Sequence, residues 1–347
     1  MENVSPEQQN TPPPLSAQDK GWLGIVFILL SAFFFSLMSI FVRLSGDLPT
    51  FQKSFFRNIV ASVVAFIALA RSKNFRLQKG SFGVLLLRSV AGTVGIVANF
   101  YAVDKLTIAD ASILNKLAPF FSIVFSALLL KEKASWKDWL LVVTAFCGAL
   151  FVIKPSFSIA QSGPALIGAL GGLGAGLAYT CVHYLGGKGE RTAMIVFFFS
   201  TFSCLAVLPF TIAQYQPMTL PQLGFLLLAG GCASVAQFSV TKAYTYAPAK
   251  DVSVYDYSQV LFSALWGFAL FGEIPDWLSF IGYTVIISSA VIKYLLSRKN
   301  RKDIGQVRNK QIKPNSHGAY FYRRSATCPF LKRGAKKLNN FLTAFLL

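Results

Sequence analysis

The feature that most constrains this chain is a rhythm of apolar blocks, each about as long as a bilayer is thick, separated by short polar stretches. The first, "WLGIVFILLSAFFFSLMSIFV", sets the pattern. Ten such blocks run at roughly 22–42, 52–70, 84–102, 110–130, 137–153, 163–185, 194–213, 222–242, 250–271 and 277–296. A helix needs about 20 apolar residues to cross the hydrocarbon core, and there its backbone groups must be satisfied within the segment. Charged residues make up 14% of the chain, against about 25% in a soluble domain. An all-α, multi-pass membrane protein with ten transmembrane helices follows.

The first block is too long for the apolar region of a signal peptide and lacks a small-residue cleavage site. Residues 1–21 are polar and Pro-rich, a composition that predicts disorder. Cys147, Cys181, Cys204 and Cys232 fall inside apolar blocks without metal-ligand spacing. There a thiol behaves as a small hydrophobe, so neither a disulfide, a metal nor a cofactor is expected. The net charge of +19 is concentrated at one end: residues 297–347 hold thirteen Lys and Arg against one acid, Asp303. Such a tail beside a final membrane helix is drawn to anionic lipid, at about 1 kcal/mol per basic residue. No aromatic platform or fold signal accompanies it, so nucleic acid is not an expected partner.

Short cytoplasmic loops collect positive charge. With the N-terminus inside, the inner loops hold Arg71, Lys73, Arg76, Lys79, Lys131, Lys133, Lys137, Lys188 and Arg191, with Lys242 and Lys250 around the inner end of the eighth helix. The outer loops hold Arg43, Lys53, Lys105 and Lys154. Both termini are therefore expected in the cytoplasm, with the protein in the plasma or inner membrane of the cell.

The two halves of the chain match without a gap at a shift of 141 residues. Glu132 in "LLLKEKASW" falls on Glu273 in "ALFGEIPDW", Trp136 on Trp277, and Asp110, Ser112, Phe121 and Ser122 on Asp251, Ser253, Phe262 and Ser263. Five crossings is an odd number, so the second copy enters the membrane upside down. Repeats inverted in this way characterise many secondary carriers, whose substrate site lies near the midplane between them. The expected organisation is a first repeat over 22–153, a linker over 154–162, a second repeat over 163–296 and a basic cytoplasmic tail over 297–347.

These features resemble the drug/metabolite transporter superfamily, specifically its EamA-type members, over about residues 22–296. The resemblance rests on ten helices as five plus five and on the close of each half. There "DASILNKLAPFFSIVFSALLLKE" and "DVSVYDYSQVLFSALWGFALFGE" each run into a Trp-bearing turn and a last apolar helix. A basic residue early in the second helix, Arg57 in "FFRN", belongs to the same pattern. The resemblance implies a transporter. Relatives export amino acids and other metabolites, and some import S-adenosylmethionine-like or vitamin-like solutes.

Ionisable side chains deep in the membrane are costly and face a bundle interior or a watery cavity. Asp256 and Lys116 are the two deepest. At the shift of 141, Lys116 corresponds to Tyr257 and Asn115 to Asp256, which sets the pairs at one depth of helices four and nine, near opposite sides of the pseudo-axis. Asp256 could attract a cationic group or exchange a proton, and Lys116 could hold a carboxylate or phosphate. A cavity with both signs suits a zwitterion such as an amino acid; an internal Asp–Lys pair that fixes packing is the plainer alternative. Arg57 could bind an anionic substrate or snorkel to lipid phosphate, and Arg88 is expected to snorkel. His183 is read as a wall residue near the outer end of helix six. Asn99, Tyr179, Gln237, Tyr257 and Gln259 are further candidate lining residues, because buried amides and phenols want partners. Tyr101 and Tyr244 could line the same cavity or, like Tyr246, be no more than interface anchors; Tyr255 and Trp266 are further lining candidates.

"GALGGLGAGLAYT" lacks the register of a nucleotide loop; Gly168, Gly172 and Gly176 instead make a face for close helix packing. Pro119 is expected to kink helix four and free a carbonyl toward the cavity. No nucleophile–base set or paired carboxylates converge, so an enzyme is not expected. The sequence thus points to a secondary active transporter of a small polar, amino-acid-like metabolite, working by alternating access. An uptake carrier for an S-adenosylmethionine-like or vitamin-like solute, or a non-transporting scaffold, stays open as an alternative.

Overall fold

A computed structural model describes residues 21–73, 75–105, 114–153, 162–272 and 274–311, without the side chains of 100, 103, 104, 162, 271 and 297–311. The expectations placed on residues 1–20, on Asp110, Ser112 and Glu273, on 154–161 and on 312–347 lie outside them. The first half contains α1 (Gly21–Leu44), α2 (Thr50–Ser72), α3 (Phe82–Lys105), the short α4 (Ala118–Phe125) and α5 (Trp136–Ile153). The second contains α6 (Ser162–Gly187), α7 (Thr192–Ala213), α8 (Leu220–Tyr246), α9 (Ser258–Phe271) and α10 (Trp277–Gln311). Eight of these are long and apolar enough to cross a membrane. The two short ones, α4 and α9, close broken spans.

The bounds of the helices recur at the spacing the sequence predicts. α1 and α6, α2 and α7, α3 and α8, α4 and α9, and α5 and α10 begin within three residues of a 141-residue shift. Local detail recurs with them. The span ending in α4 passes through a π-helical turn, Ser126–Leu130, and stops at Lys131 in the left-handed region (φ 58°); α9 stops at Gly272 with φ 66°. Lys131 and Gly272 are mates at the same shift, so each half uses one left-handed cap to end its broken span. α8 opens instead with a capping box between Thr219 and Gln222.

Packing follows a two-fold pattern. α1 packs along α8 as α6 packs along α3, α4 lies on α6 as α9 lies on α1, and the mates α2 and α7 pack on each other, as do α5 and α10. Helices that pack on their own mates lie astride the pseudo-axis, which therefore runs from the α2–α7 pair to the α5–α10 pair. The protein is all-α among its described residues, with its two five-helix repeats inverted.

Close approach depends on missing side chains. A Cβ on Gly172 would sit 2.6 Å from the Leu114 carbonyl, and one on Gly176 would sit 2.5 Å from Phe121 Cβ. On the neighbouring face of α6, a Cβ on Gly174 would meet the Ala91 carbonyl at 2.6 Å. The glycine run thus seats both α3 and the broken fourth span, as its spacing predicts.

Two boundaries differ from expectation. α10 runs on to Gln311 rather than ending near 296, because Arg, Lys and Gln are good helix formers and Pro314 is the first residue that must stop them. Pro119 does not kink a continuous helix. It occupies the first turn of α4, where its missing N–H costs nothing, and the chain breaks at Lys116–Leu117 just before it.

Candidate functional site

The ninth span breaks where the fourth does. A single helical turn, Ala249–Val252, tightens into a 3₁₀ segment, Ser253–Tyr257, before α9 begins. Lys116 and Tyr257 are mates at the 141-residue shift, and they touch: Tyr257 Oη donates to the Lys116 carbonyl at 3.1 Å. Residues related by a two-fold axis meet only beside that axis, so both breaks lie against it. The expected freed carbonyl exists, but Tyr257 occupies it.

The same break delivers the charges. Lys116 Nζ lies 3.2 Å from Asp256 Oδ2 and donates to Gln259 Oε1 at 2.7 Å and to the Asp256 carbonyl at 3.3 Å. The Lys116 and Asp256 side chains are 10% and 12% exposed. A 3₁₀ turn places Asp256 and Gln259 on one edge, so one ammonium can take a carboxylate, a backbone carbonyl and an amide oxygen together. The two acid–base residues expected on opposite sides of the axis thus form one ion pair across it.

Tyr179 of α6 lies beside this pair. Its ring stacks on Tyr244 at 4.7 Å between centroids and 12° between planes, and its phenol is within electrostatic reach of Asp256, Arg57 and Arg88. Arg57 stands over the Phe35 ring at 5.8 Å, and its Nε has no hydrogen-bond partner among the described residues. Tyr244, for which the sequence left a lining and an interface position open, is fully buried in the core. Trp266 Nε1 donates to Ser36 Oγ at 3.1 Å and ties α9 to α1.

The remaining candidates are not drawn into the cluster. Asn115 neighbours Lys116 in sequence, yet its side chain is exposed and bonds to none of the group. Gln237 is buried in α8 and Asn99 half-buried in α3; among the described residues neither amide bonds to Lys116 or Asp256. Which way each amide faces is a matter of helix rotation, which the apolar pattern of a helix buried on several sides does not encode.

Two groups were misplaced by sequence reasoning. Arg88 does not snorkel: it is 2% exposed and stacks on Phe199 at 3.5 Å from the ring centroid. Gly92, one turn on, has no Cβ to fill the space that Phe199 and the guanidinium occupy, and "RSVAG" was the available signal. His183 lies not near the outer end but at the end that loop charge assigns to the cytoplasm, since α6 runs inward after five crossings. Its Nε2 meets Glu132 Oε1 at 2.8 Å and its Nδ1 the Tyr244 carbonyl at 2.6 Å. Both partners are acceptors, so either the ring carries two protons or Glu132 carries one. At the same end Lys293, 5% exposed, bridges Asp138 at 2.6 Å and Asp251 at 3.1 Å. These ties join the end of the fourth span, α6 and α8, and α10, α5 and the ninth span.

Among the described residues no His, Cys, Asp and Glu cluster could hold a metal. What the centre offers is an ion pair astride the axis, an aromatic stack and two arginines.

Known proteins match over this whole architecture. The model of the EamA-like transporter family matches residues 22–154 and again 163–295. The chain is 32% identical over 270 residues to the pseudopaline exporter CntI of Pseudomonas aeruginosa, a match covering 77% of this chain and 94% of that one. It is 26% identical to solute carrier family 35 member G1 of Homo sapiens, over 78% of each chain. It is 22% identical to an S-adenosylmethionine uptake transporter of Rickettsia bellii, over 78% of this chain and 92% of that one. One solved crystal structure superposes with a TM-score of 0.71 over 80% of this chain and 98% of its own; at 14% identity the likeness is one of fold.

Proposed function

Since the chain belongs to the EamA-like transporter family, we propose that it is a secondary carrier that moves a small polar, amino-acid-like metabolite by alternating access, with Lys116, Asp256, Gln259, Tyr257 and Tyr179 at its binding centre. Membrane transport is the coarser statement, which the family and the named relatives support. The observation that carries the finer one is the Lys116–Asp256–Gln259 cluster, set where both spans break beside the pseudo-axis. Mirrored halves can exchange conformations about such an axis, and a site on it can open to either face.

The chemistry of the cluster fits a zwitterion. A substrate carboxylate competes with Asp256 for the Lys116 ammonium, and a substrate amine competes with Lys116 for Asp256. Each charge then keeps a partner throughout, which avoids a bare ion in a low-dielectric site. The broken helices keep backbone carbonyls near the cargo, a feature of carrier sites generally. Asp256 is also the group through which a proton would couple to flux. The same centre would serve uptake of an S-adenosylmethionine-like solute, the reading that the Rickettsia bellii relative favours.

Purified protein in liposomes tests the proposal with a panel of labelled amino acids and S-adenosylmethionine, supplied from either face. Saturable flux of at least one of them, lost in Asp256→Asn, is the expected result. Flux unchanged by that substitution would remove the ion pair from the mechanism. Flux indifferent to an imposed pH gradient would remove the proton.

A further inference from the structure

Arg57 of α2 and Arg88 of α3 sit on helices that both pack on α7, within electrostatic reach of each other, and neither forms an ion pair with an acid among the described residues. Arg88 leaves its Nε and Nη1 without hydrogen-bond partners, and Arg57 leaves its Nε. Asp256, the carboxylate within electrostatic reach of Tyr179, is already paired with Lys116. A guanidinium has five N–H donors in one plane. Phe199 satisfies the flat face of Arg88 and leaves its donor edge unused. Burial of a cation against a like charge is unfavourable, so a side chain kept there normally serves a partner that comes and goes. Lipid does not supply that partner to Arg88, which is 2% exposed.

We propose that Arg57 and Arg88, with Tyr179 beside them, form a carboxylate-binding subsite, and that the cargo carries acidic groups beyond a simple amino-acid end. This rests on the transporter reading and names the substrate class for it. The Lys116–Asp256 pair is neutral as a unit, while the two arginines add two positive charges to the interior of the bundle. A substrate with a net negative charge balances them, with one carboxylate gripped bidentately by the Arg88 edge and shared with Arg57.

The test uses the full-length protein in detergent at constant ionic strength, with succinate, citrate, glutamate and glutamine as probes and chloride as the inorganic control. The expected result is a saturable rise in melting temperature with citrate, succinate or glutamate, a weaker one or none with glutamine, and none with chloride. Arg88→Met and Arg57→Met should each weaken binding roughly ten- to hundredfold, the usual loss for a charge-assisted hydrogen bond. Arg88→Lys should also weaken it, since an ammonium cannot make the forked contact.

Without ligand, Arg88→Met should melt at or above the wild type, because an unpaired buried charge has gone. The proposal is overturned if no carboxylate raises the melting temperature, if chloride does so equally, or if both Met variants bind as the wild type does. It is also overturned if both Met variants melt lower without ligand or fail to fold, the mark of a purely structural role. Liposome flux separates the two claims. Carboxylate binding without flux leaves the subsite standing and removes the carrier; flux without carboxylate binding does the reverse.

Discussion

Asp256→Asn, Lys116→Met and the double variant separate a working ion pair from a packing device. The pair lies 3.2 Å apart with side chains 10% and 12% exposed. At an effective dielectric of about 20, unit charges at that distance attract by about 5 kcal/mol. Removing one partner of a buried pair costs about 3–5 kcal/mol, whereas removing both is often close to neutral. In Asp256→Asn the ammonium keeps Gln259 Oε1 and the backbone carbonyl of residue 256, so that variant belongs near the low end, about 3 kcal/mol. In Lys116→Met the Asp256 carboxylate loses its counter-ion, so that variant belongs near the high end, about 5 kcal/mol. At about 2 °C per kcal/mol for a chain of this size, the single variants should melt about 6 °C and about 10 °C below the wild type. The double variant should recover to within about 2 °C. Thermal melting in detergent reads stability, and liposome flux reads function. Recovery of melting without recovery of flux is the expected outcome. A double variant that carries cargo at the wild-type rate would refute the functional role, and one that melts at the sum of the two losses would refute the pairing.

Gly176→Ala should lower the melting temperature and the yield of folded protein, since its Cβ would lie 2.8 Å from the Ser122 backbone nitrogen. Gly231→Ala, with nothing within 4 Å, should stay within about 1 kcal/mol of the wild type. Lys293→Met removes the ammonium from Asp138, which keeps the Ser135 backbone N–H and hydroxyl as donors. It should destabilise by about 1.5–3 kcal/mol, and adding Asp138→Asn should recover part of the loss in the same melt. His183→Ala removes the link from Glu132 to the Tyr244 carbonyl. It should cost about 1.5–3 kcal/mol in the same melt, as loss of a hydrogen bond to a charged group does.

How far the sequence reached can be followed residue by residue. Lys116 and Asp256 stood out because charge in an apolar run is rare, and depth along a helix is a one-dimensional property that sequence position measures. Gly172 and Gly176 stood out because their spacing of four sets them on one stripe. Arg88 was misread because depth alone cannot separate a side chain reaching for lipid headgroups from one turned inward onto Phe199. Asn99 and Gln237 could not be oriented from the sequence for the same reason: their helices are apolar on most sides, so the pattern carries little information about rotation. His183 was misplaced by direction, although counting five crossings would have turned α6 the right way round.

The sequence by itself determined the number of halves, their inversion and the helical character of every span, because apolar length, the odd count of crossings and a gapless shift of 141 residues leave no other way to satisfy the backbone in lipid. Only the tertiary structure decided that Lys116 grips Asp256 across the axis instead of facing it, and that two arginines from α2 and α3 share one interior. Contacts between helices far apart in the chain depend on how each is rotated and where each breaks. Those quantities are settled by side-chain packing among all ten spans at once, not by any local run of residues.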